Sequence, residues 1–136
     1  MPFSATRRYA ALLLASAALV GGTATGAVAA GTGADALAAY PCDVTMSSTG
    51  RLTAGYYSGN TVVPSSSQVT AAGKEAQCLL QYQGYNPGTV DGIFGSRSQT
   101  AAKRFQSTVN DACDTNLRVD GKIGEQSWPY LRRLYC

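Results

Sequence analysis

The sequence predicts a small all-α fold, a three-helix bundle with two Asp-Gly turn repeats, preceded by an irregular disulfide-tethered N-terminal extension. The phrase Val-Asp-Gly-Ile-Phe-Gly at 90–95 recurs as Val-Asp-Gly-Lys-Ile-Gly at 119–124, an offset of 29 residues. Three stretches with apolar residues at helical spacing surround these phrases. A short, fixed period of this kind is typical of two copies of one supersecondary unit.

The first helix is predicted over about residues 66–83. Ser65 and Gln68 have the spacing of a capping box at its start. Gly84 is typical of the residue that ends a helix, because glycine adopts the left-handed conformation without a side-chain clash. The residues on the predicted core face are Val69, Ala72, Ala76, Leu79 and Leu80.

The second helix is predicted to begin after Ser96, which forms a second capping box with Gln99. Its predicted buried stripe consists of Ala101, Ala102, Phe105 and Val109.

The third helix is predicted to begin near Glu125. Apolar residues follow at helical spacing, and Pro129 lies among them. Because proline fits only the first turn of a helix, we expect this helix to start late or to bend at its entry. The predicted core positions are Trp128, Leu131, Leu134 and Tyr135.

Residues 1–30 have the pattern of a cleaved signal peptide. Two arginines at positions 7–8 precede an apolar run at 10–20, which is too short to span a bilayer. Small residues follow, and cleavage is expected after residue 29 or 30. General secretion is favoured over twin-arginine export and over a retained membrane anchor. The expected location is therefore extracellular or cell-wall associated, with no membrane contact after signal removal.

The charge balance argues against nucleic acid as a partner. The chain carries a net charge of +3, and removal of Arg7 and Arg8 leaves nine basic against eight acidic residues. The remaining basic residues are scattered rather than clustered. The mature chain is expected to be a monomer in which residues 31–65 form a Gly/Ser-rich leader and irregular extension, and residues 66–136 form one small domain.

Four cysteines in a small exported chain imply two disulfides, with three possible pairings. On the first helix, Cys78 lies opposite the apolar stripe, so its partner is expected on a segment outside the bundle, as Cys42 is. Cys113 and Cys136 then pair with each other and tie the end of the third helix to the end of the second. We favour Cys42–Cys78 with Cys113–Cys136, and the other two pairings stay open. Zinc is disfavoured because the chain has no histidine, and neither a metal nor a cofactor is predicted.

From about residue 69 to residue 134, the ordered motifs resemble the small peptidoglycan-binding domain, a three-helix module of secreted cell-wall enzymes. The motifs are Gln77 with Leu80, Gly84-Tyr85, the two phrases at 90–95 and 119–124, Phe105-Gln106 and Ser127-Trp128. The resemblance implies that residues 66–136 form such a domain. Departures include Ser98 and Ser127 in place of threonines, Gly73 in place of a larger residue, and an insert that carries Cys113.

Several residues near the two turns are candidates for ligand contact. The Asp pair invites a catalytic interpretation, but a structural one is favoured because each Asp precedes glycine in a turn. Tyrosine offers a flat apolar face and a hydroxyl to a sugar, and arginine can pair with a peptide carboxylate, although solvation of a surface arginine is the simpler alternative. Tyr56 and Tyr57 either line a ligand edge or cover the first helix. The candidates are Tyr85, Asn86, Asp91, Arg97 and Asp120.

The resemblance implies a secreted, non-catalytic protein that binds peptidoglycan and recognises glycan or peptide stems in a shallow groove. Such a protein is expected to act as an accessory at the wall. A catalytic triad of the usual kind is excluded because the chain lacks histidine, and oxidised cysteines leave no thiolate nucleophile. The alternatives are a secreted protein–protein module, an inhibitor or accessory of a wall hydrolase or protease with that enzyme as its partner, and a small wall hydrolase that uses acidic residues.

Overall fold

The computed structural model describes residues 39–136, so the predicted signal peptide and the start of the predicted leader lie outside the described residues. The described chain contains three helices, as the sequence predicts. Its elements are β1 (Thr45–Met46), β2 (Leu52–Thr53), α1 (Ala71–Tyr82), α2 (Ser96–Cys113) and α3 (Trp128–Leu131). No helix within residues 39–136 is long and apolar enough to cross a membrane.

The start of α1 is later than predicted. Thr70 caps the helix, because its Oγ1 accepts a hydrogen bond from the Gly73 N–H at 2.9 Å. Ser65 Oγ instead accepts from the N–H groups of Ser67 and Gln68, at 3.3 and 3.1 Å, and closes a turn before the helix. Val69 precedes the helix and is 46% exposed, so its predicted place on the core face is wrong.

The end of α1 and the core face of α2 agree with the predictions. Gly84 follows α1 with a φ of +87°, and its N–H donates to the Gln81 carbonyl. At the start of α2, Gly95 takes the cap position, and no side chain caps the helix. The predicted capping box is therefore wrong: Ser96 lies inside the first turn, and Gln99 Nε2 donates to the Phe94 carbonyl. The four predicted stripe residues of α2 are buried.

The third helix is a single turn. It begins at Trp128 and places Pro129 in its first turn, where proline costs no hydrogen bond. Because the helix ends at Leu131, the helical period no longer carries the following residues onto the core. Leu134 is 41% exposed and Tyr135 is 86% exposed, so their predicted burial is wrong.

The N-terminal extension covers the bundle and contains a short ribbon that the sequence did not predict. Strands β1 and β2 pair antiparallel, with Thr45 opposite Thr53 and Met46 opposite Leu52. Leu52 is fully buried within the helical core. Further along, the indole Nε1 of Trp128 donates to the Val62 carbonyl at 2.8 Å. The extension therefore contributes to the same core as the helices.

Two disulfides tie the extension and the C-terminal segment to the helices. Cys42 bonds to Cys78 and Cys113 bonds to Cys136, which is the pairing that the sequence favours. Cys78 is fully buried on α1, so the segment around Cys42 covers that part of the helix. By loop closure, each bond contributes on the order of 3–4 kcal/mol to stability.

A buried ion pair joins α1 to the residue that follows α3. Arg132 Nη1 donates to Glu75 Oε1 at 2.8 Å, and both side chains are at most 1% exposed. The remaining hydrogen-bonding capacity of Arg132 is used by the extension, at Asn60 Oδ1 and at the carbonyls of Leu52, Tyr57 and Gly59. The Glu75 carboxylate accepts from Thr53 Oγ1 and from the N–H groups of Ala54, Tyr56 and Tyr57.

Burial and hydrogen bonding act in opposite directions on the pKa of Glu75. Burial raises the pKa of its carboxyl, but the bonds from Arg132 and from the backbone of the extension lower that pKa by a larger amount. The net pKa lies below the ordinary value of 4.5. Because folding lowers this pKa, the ionised carboxylate stabilises the fold above about pH 4.5. That contribution is lost as the pH falls through the folded pKa.

We expect Glu75→Gln to lower the free energy of unfolding by about 3–5 kcal/mol at neutral pH, because it leaves the Arg132 charge buried without its partner. Urea unfolding at a series of pH values measures this. Between neutral pH and about pH 3, the variant should also lose less stability than the natural chain. Glu125→Gln is the matched control, since Glu125 is exposed. Equal loss in the two variants would contradict a stabilising role for the pair.

Candidate functional site

A buried glutamine on α1 holds the first Asp-Gly turn. Gln77 is 1% exposed, and its Oε1 accepts from the Gly92 N–H at 2.8 Å. Its Nε2 lies 3.0 Å from both Asp91 Oδ1 and the Ile93 carbonyl. The same Asp91 oxygen accepts from the Ile93 N–H at 2.9 Å, and Gly92 has a φ of +81°. The turn is thus fixed from inside the protein by one amide group.

Gln106 on α2 holds the second turn in the same way. Its Oε1 accepts from the Gly121 N–H at 2.9 Å. Its Nε2 lies 3.3 Å from Asp120 Oδ1 and 3.0 Å from the Lys122 carbonyl. Asp120 Oδ1 also accepts from the Lys122 N–H at 2.9 Å. Each aspartate therefore has an oxygen engaged within its own turn.

A serine completes each arrangement. Gln77 Nε2 lies 3.0 Å from Ser98 Oγ, and Gln106 Nε2 lies 3.1 Å from Ser127 Oγ. Each of these partners of Gln106 stands 29 residues after the corresponding partner of Gln77. The two glutamines are also 29 residues apart, and so are the two serines. This spacing in the sequence indicates that the members of each pair have the same role.

The first turn also packs directly against the start of α1. The Thr70 N–H donates to the Gly92 carbonyl at 3.0 Å. A Cβ on Gly73 would lie only 2.1 Å from that carbonyl oxygen, so a side chain at this position would push the turn away. This close approach explains why residue 73 is glycine, although the family resemblance leads us to expect a larger residue there.

The five predicted ligand residues are distributed over separate surface hollows. Asn86 and Arg97 line the same hollow beside the start of α2. Asp120 lines a second hollow beside the second turn, together with Arg118 and Lys122. Tyr85 lines a third, at the other end of α2. Asp91 lines none of these three, and its contacts are those of the turn.

The hollow that holds Asn86 and Arg97, here called the arginine hollow, has a volume of about 290 Å³. Arg104 lines it as well, and it lies seven residues after Arg97 on the same face of α2. Asn86 Oδ1 accepts from the Gly88 N–H at 3.0 Å, and the backbone of Gly88 lies against the stem of Arg97. The arginine side chains are exposed. The hollow can therefore offer two guanidinium groups to an anionic ligand.

Tyr56 and Tyr57 serve the extension. The Tyr56 hydroxyl donates to the Pro41 carbonyl at 2.7 Å. The Tyr57 ring lies 5.3 Å from the Trp128 ring, and its hydroxyl oxygen accepts from the Val62 N–H at 3.0 Å. These contacts favour the interpretation that both rings help to cover the helices.

Comparison with known proteins gives one family and one structural neighbour. Residues 70–129 match the family model described as "Putative peptidoglycan binding domain". A solved structure at 2.05 Å resolution, of a peptidoglycan-binding protein from Clostridioides difficile in complex with glutamine hydroxamate, is 28% identical with a TM-score of 0.52. The match covers 67% of this chain and 56% of that protein, so it spans little more than half of the neighbour. Comparison with curated proteins gives no significant match.

We expect Gln77→Leu to lower the free energy of unfolding by about 1–3 kcal/mol, because the buried Gly92 N–H loses its acceptor. Gln106→Leu should do the same through Gly121. Thermal or urea unfolding measures both. Gln126→Leu, at an exposed position, is the control. Unfolding free energies that equal that of the natural chain in all three variants would show that the glutamines do not hold the turns.

Proposed function

We propose that this protein is a secreted, non-catalytic protein that binds the peptide stems of peptidoglycan. One reason is that its residues 70–129 belong to the peptidoglycan-binding domain family. The observation that carries the proposal is the arginine hollow on α2. Stem peptides carry free carboxylates, and the guanidinium fork of arginine pairs with carboxylates through two parallel hydrogen bonds.

The spacing of the arginines supports an extended ligand. Arg97 and Arg104 are seven residues apart, which corresponds to about 10 Å along the helix axis. The first turn of α2 has no side-chain cap, so its N–H groups and the positive end of the helix dipole add to the attraction for an anion. Asn86 and Thr100 supply neutral polar groups between the charges. A stem peptide could therefore meet positive charge at two points and amide or hydroxyl groups between them.

Several observations support a binding role without catalysis. Asp91 and Asp120 each use a carboxylate oxygen to hold a turn. All four cysteines are in disulfides, and the sequence contains no histidine. Residues 39–136 contain no group of three or more acidic or cysteine side chains placed to hold a metal ion. The neighbour's complex with glutamine hydroxamate is a further reason to propose an amino-acid-containing ligand.

We expect Arg97→Gln with Arg104→Gln to reduce retention of the protein on purified insoluble cell wall by about threefold to tenfold, since each lost pair between an exposed arginine and a carboxylate contributes on the order of 0.2–1 kcal/mol. A pull-down at several salt concentrations measures it. Binding of the natural chain should weaken as salt rises, because exposed charges are screened. Conversion of the wall carboxylates to neutral amides should remove the difference between the natural chain and the variant.

The matched control is Arg118→Gln with Lys122→Gln. This pair removes the same charge from the hollow beside the second turn. Equal loss of retention in the two double variants would assign the effect to net charge and contradict the arginine hollow. A natural chain that the wall does not retain, together with co-purification of a secreted wall enzyme, would favour the protein–protein alternative. Dye release from labelled wall would contradict the absence of catalysis.

A further inference from the structure

The third hollow, which Tyr85 lines, is also lined by other tyrosines and is bounded by a disulfide. It lies at the C-terminal end of α2 and has a volume of about 270 Å³. Tyr85, Tyr130 and Tyr135 line it, and the Cys113–Cys136 bond forms one side. We call it the tyrosine hollow. Part of its wall, including Tyr130 and Tyr135, lies beyond residue 129, where the family match ends.

Part of the wall of the tyrosine hollow is held in place before any ligand arrives. The Tyr85 ring meets the buried Phe105 ring edge-on, with centroids 5.7 Å apart. Gln83 Nε2 donates to the Leu131 carbonyl at 2.7 Å and reaches the Arg133 carbonyl at 3.3 Å. The disulfide then ties the C-terminal segment to the end of α2. Such preorganisation lowers the entropy that a ligand must lose on binding.

The polar groups of the tyrosine hollow are available to a ligand. Within residues 39–136, none of the hydroxyls of Tyr85, Tyr130 and Tyr135 hydrogen-bonds to the protein. The guanidinium of Arg133 forms neither a salt bridge nor a hydrogen bond with any residue in the same part of the chain. The floor is apolar and includes Val109. The hollow therefore combines flat apolar surface with free hydrogen-bonding groups at its rim.

The two hollows lie along one face of α2. Arg104 lines the arginine hollow and Thr108 lines the tyrosine hollow, four residues further along the helix. Residues four apart on a helix are surface neighbours, about 6 Å apart along the axis. Outside α2, Asn86 lines the arginine hollow and the adjacent Tyr85 lines the tyrosine hollow. A single extended ligand could therefore span both hollows.

We propose that the tyrosine hollow binds one N-acetylated sugar ring of the glycan strand. This inference rests on the proposed function and adds the carbohydrate part of the ligand to the peptide part. A sugar ring has an apolar face that packs on an aromatic ring and hydroxyls that pair with tyrosine. Its acetyl methyl fits the apolar floor, and its acetyl oxygen accepts a hydrogen bond from Arg133. The positive Arg133 favours this oxygen-rich ligand over an apolar side chain.

The test is a titration of the full chain with chitotetraose, the tetramer of N-acetylglucosamine, by calorimetry and by amide chemical shifts. We expect Tyr135→Ala to weaken binding by about tenfold or more, the effect of losing a stacking partner. Because Tyr135 is 86% exposed, this change should leave folding intact. Tyr82→Ala removes a half-exposed tyrosine that does not line the hollow, and it should bind as the natural chain does.

A double variant, Cys113→Ser with Cys136→Ser, opens one wall of the hollow and should also weaken chitotetraose binding. Both variants should lower retention on wall only in part, and the part that depends on Arg97 and Arg104 should remain. Retention on wall without chitotetraose binding would overturn this inference and leave the proposed function standing. Chitotetraose binding that Tyr135→Ala and Tyr82→Ala lower equally would also overturn it. Chitotetraose binding that only Tyr135→Ala lowers, without retention on wall, would support the sugar site and contradict the proposed function.

Discussion

The buried ion pair between Glu75 and Arg132 constrains the rest of the described fold. Removing either charge leaves the other in a low-dielectric interior, which is far more costly than loss of an exposed pair. The pair is stable in the interior because backbone groups of the extension satisfy its remaining donors and acceptors. Releasing the extension would therefore leave donors and acceptors of the ion pair unsatisfied, and it would also expose the buried side chain of Leu52. For this reason, extension and helices are expected to unfold together.

Gln77 and Gln106 hold the two turns in place, just as the ion pair holds the extension in place. Gln77 and Gln106 bind the turns from the core side, so the turns need no support from their outer surface. Their aspartates complete these arrangements from within each turn. Consequently, the outward surfaces around α2 are free to differ in chemistry without loss of the fold.

Local patterns predicted part of the local structure, although neither predicted capping box caps its helix. The apolar stripe of α2, the glycine that ends α1 and the phase of Cys78 depend on neighbours within a few turns, and the structure agrees with each. The sequence did not indicate that Glu75 pairs with Arg132, since the two are 57 residues apart and no period relates them. Leu134 follows a helical period that ends at Leu131 because α3 is a single turn. Likewise, no spacing indicated that Tyr85 and Asn86, adjacent in sequence, line different hollows.

The position of the two hollows bears on whether sugar or peptide is recognised. Each hollow alone is small and open, and a single carboxylate pair or sugar ring provides modest affinity. When both groups belong to one ligand, binding of the first makes binding of the second intramolecular and raises the overall affinity without a new contact. Peptidoglycan joins a stem peptide to a sugar ring covalently, so it matches hollows that lie next to each other on one rigid helix. Under the two proposals, a free peptide or a bare glycan would engage only half of this surface. The proposed pair of sites on α2 would then favour the junction between glycan and stem over either part alone.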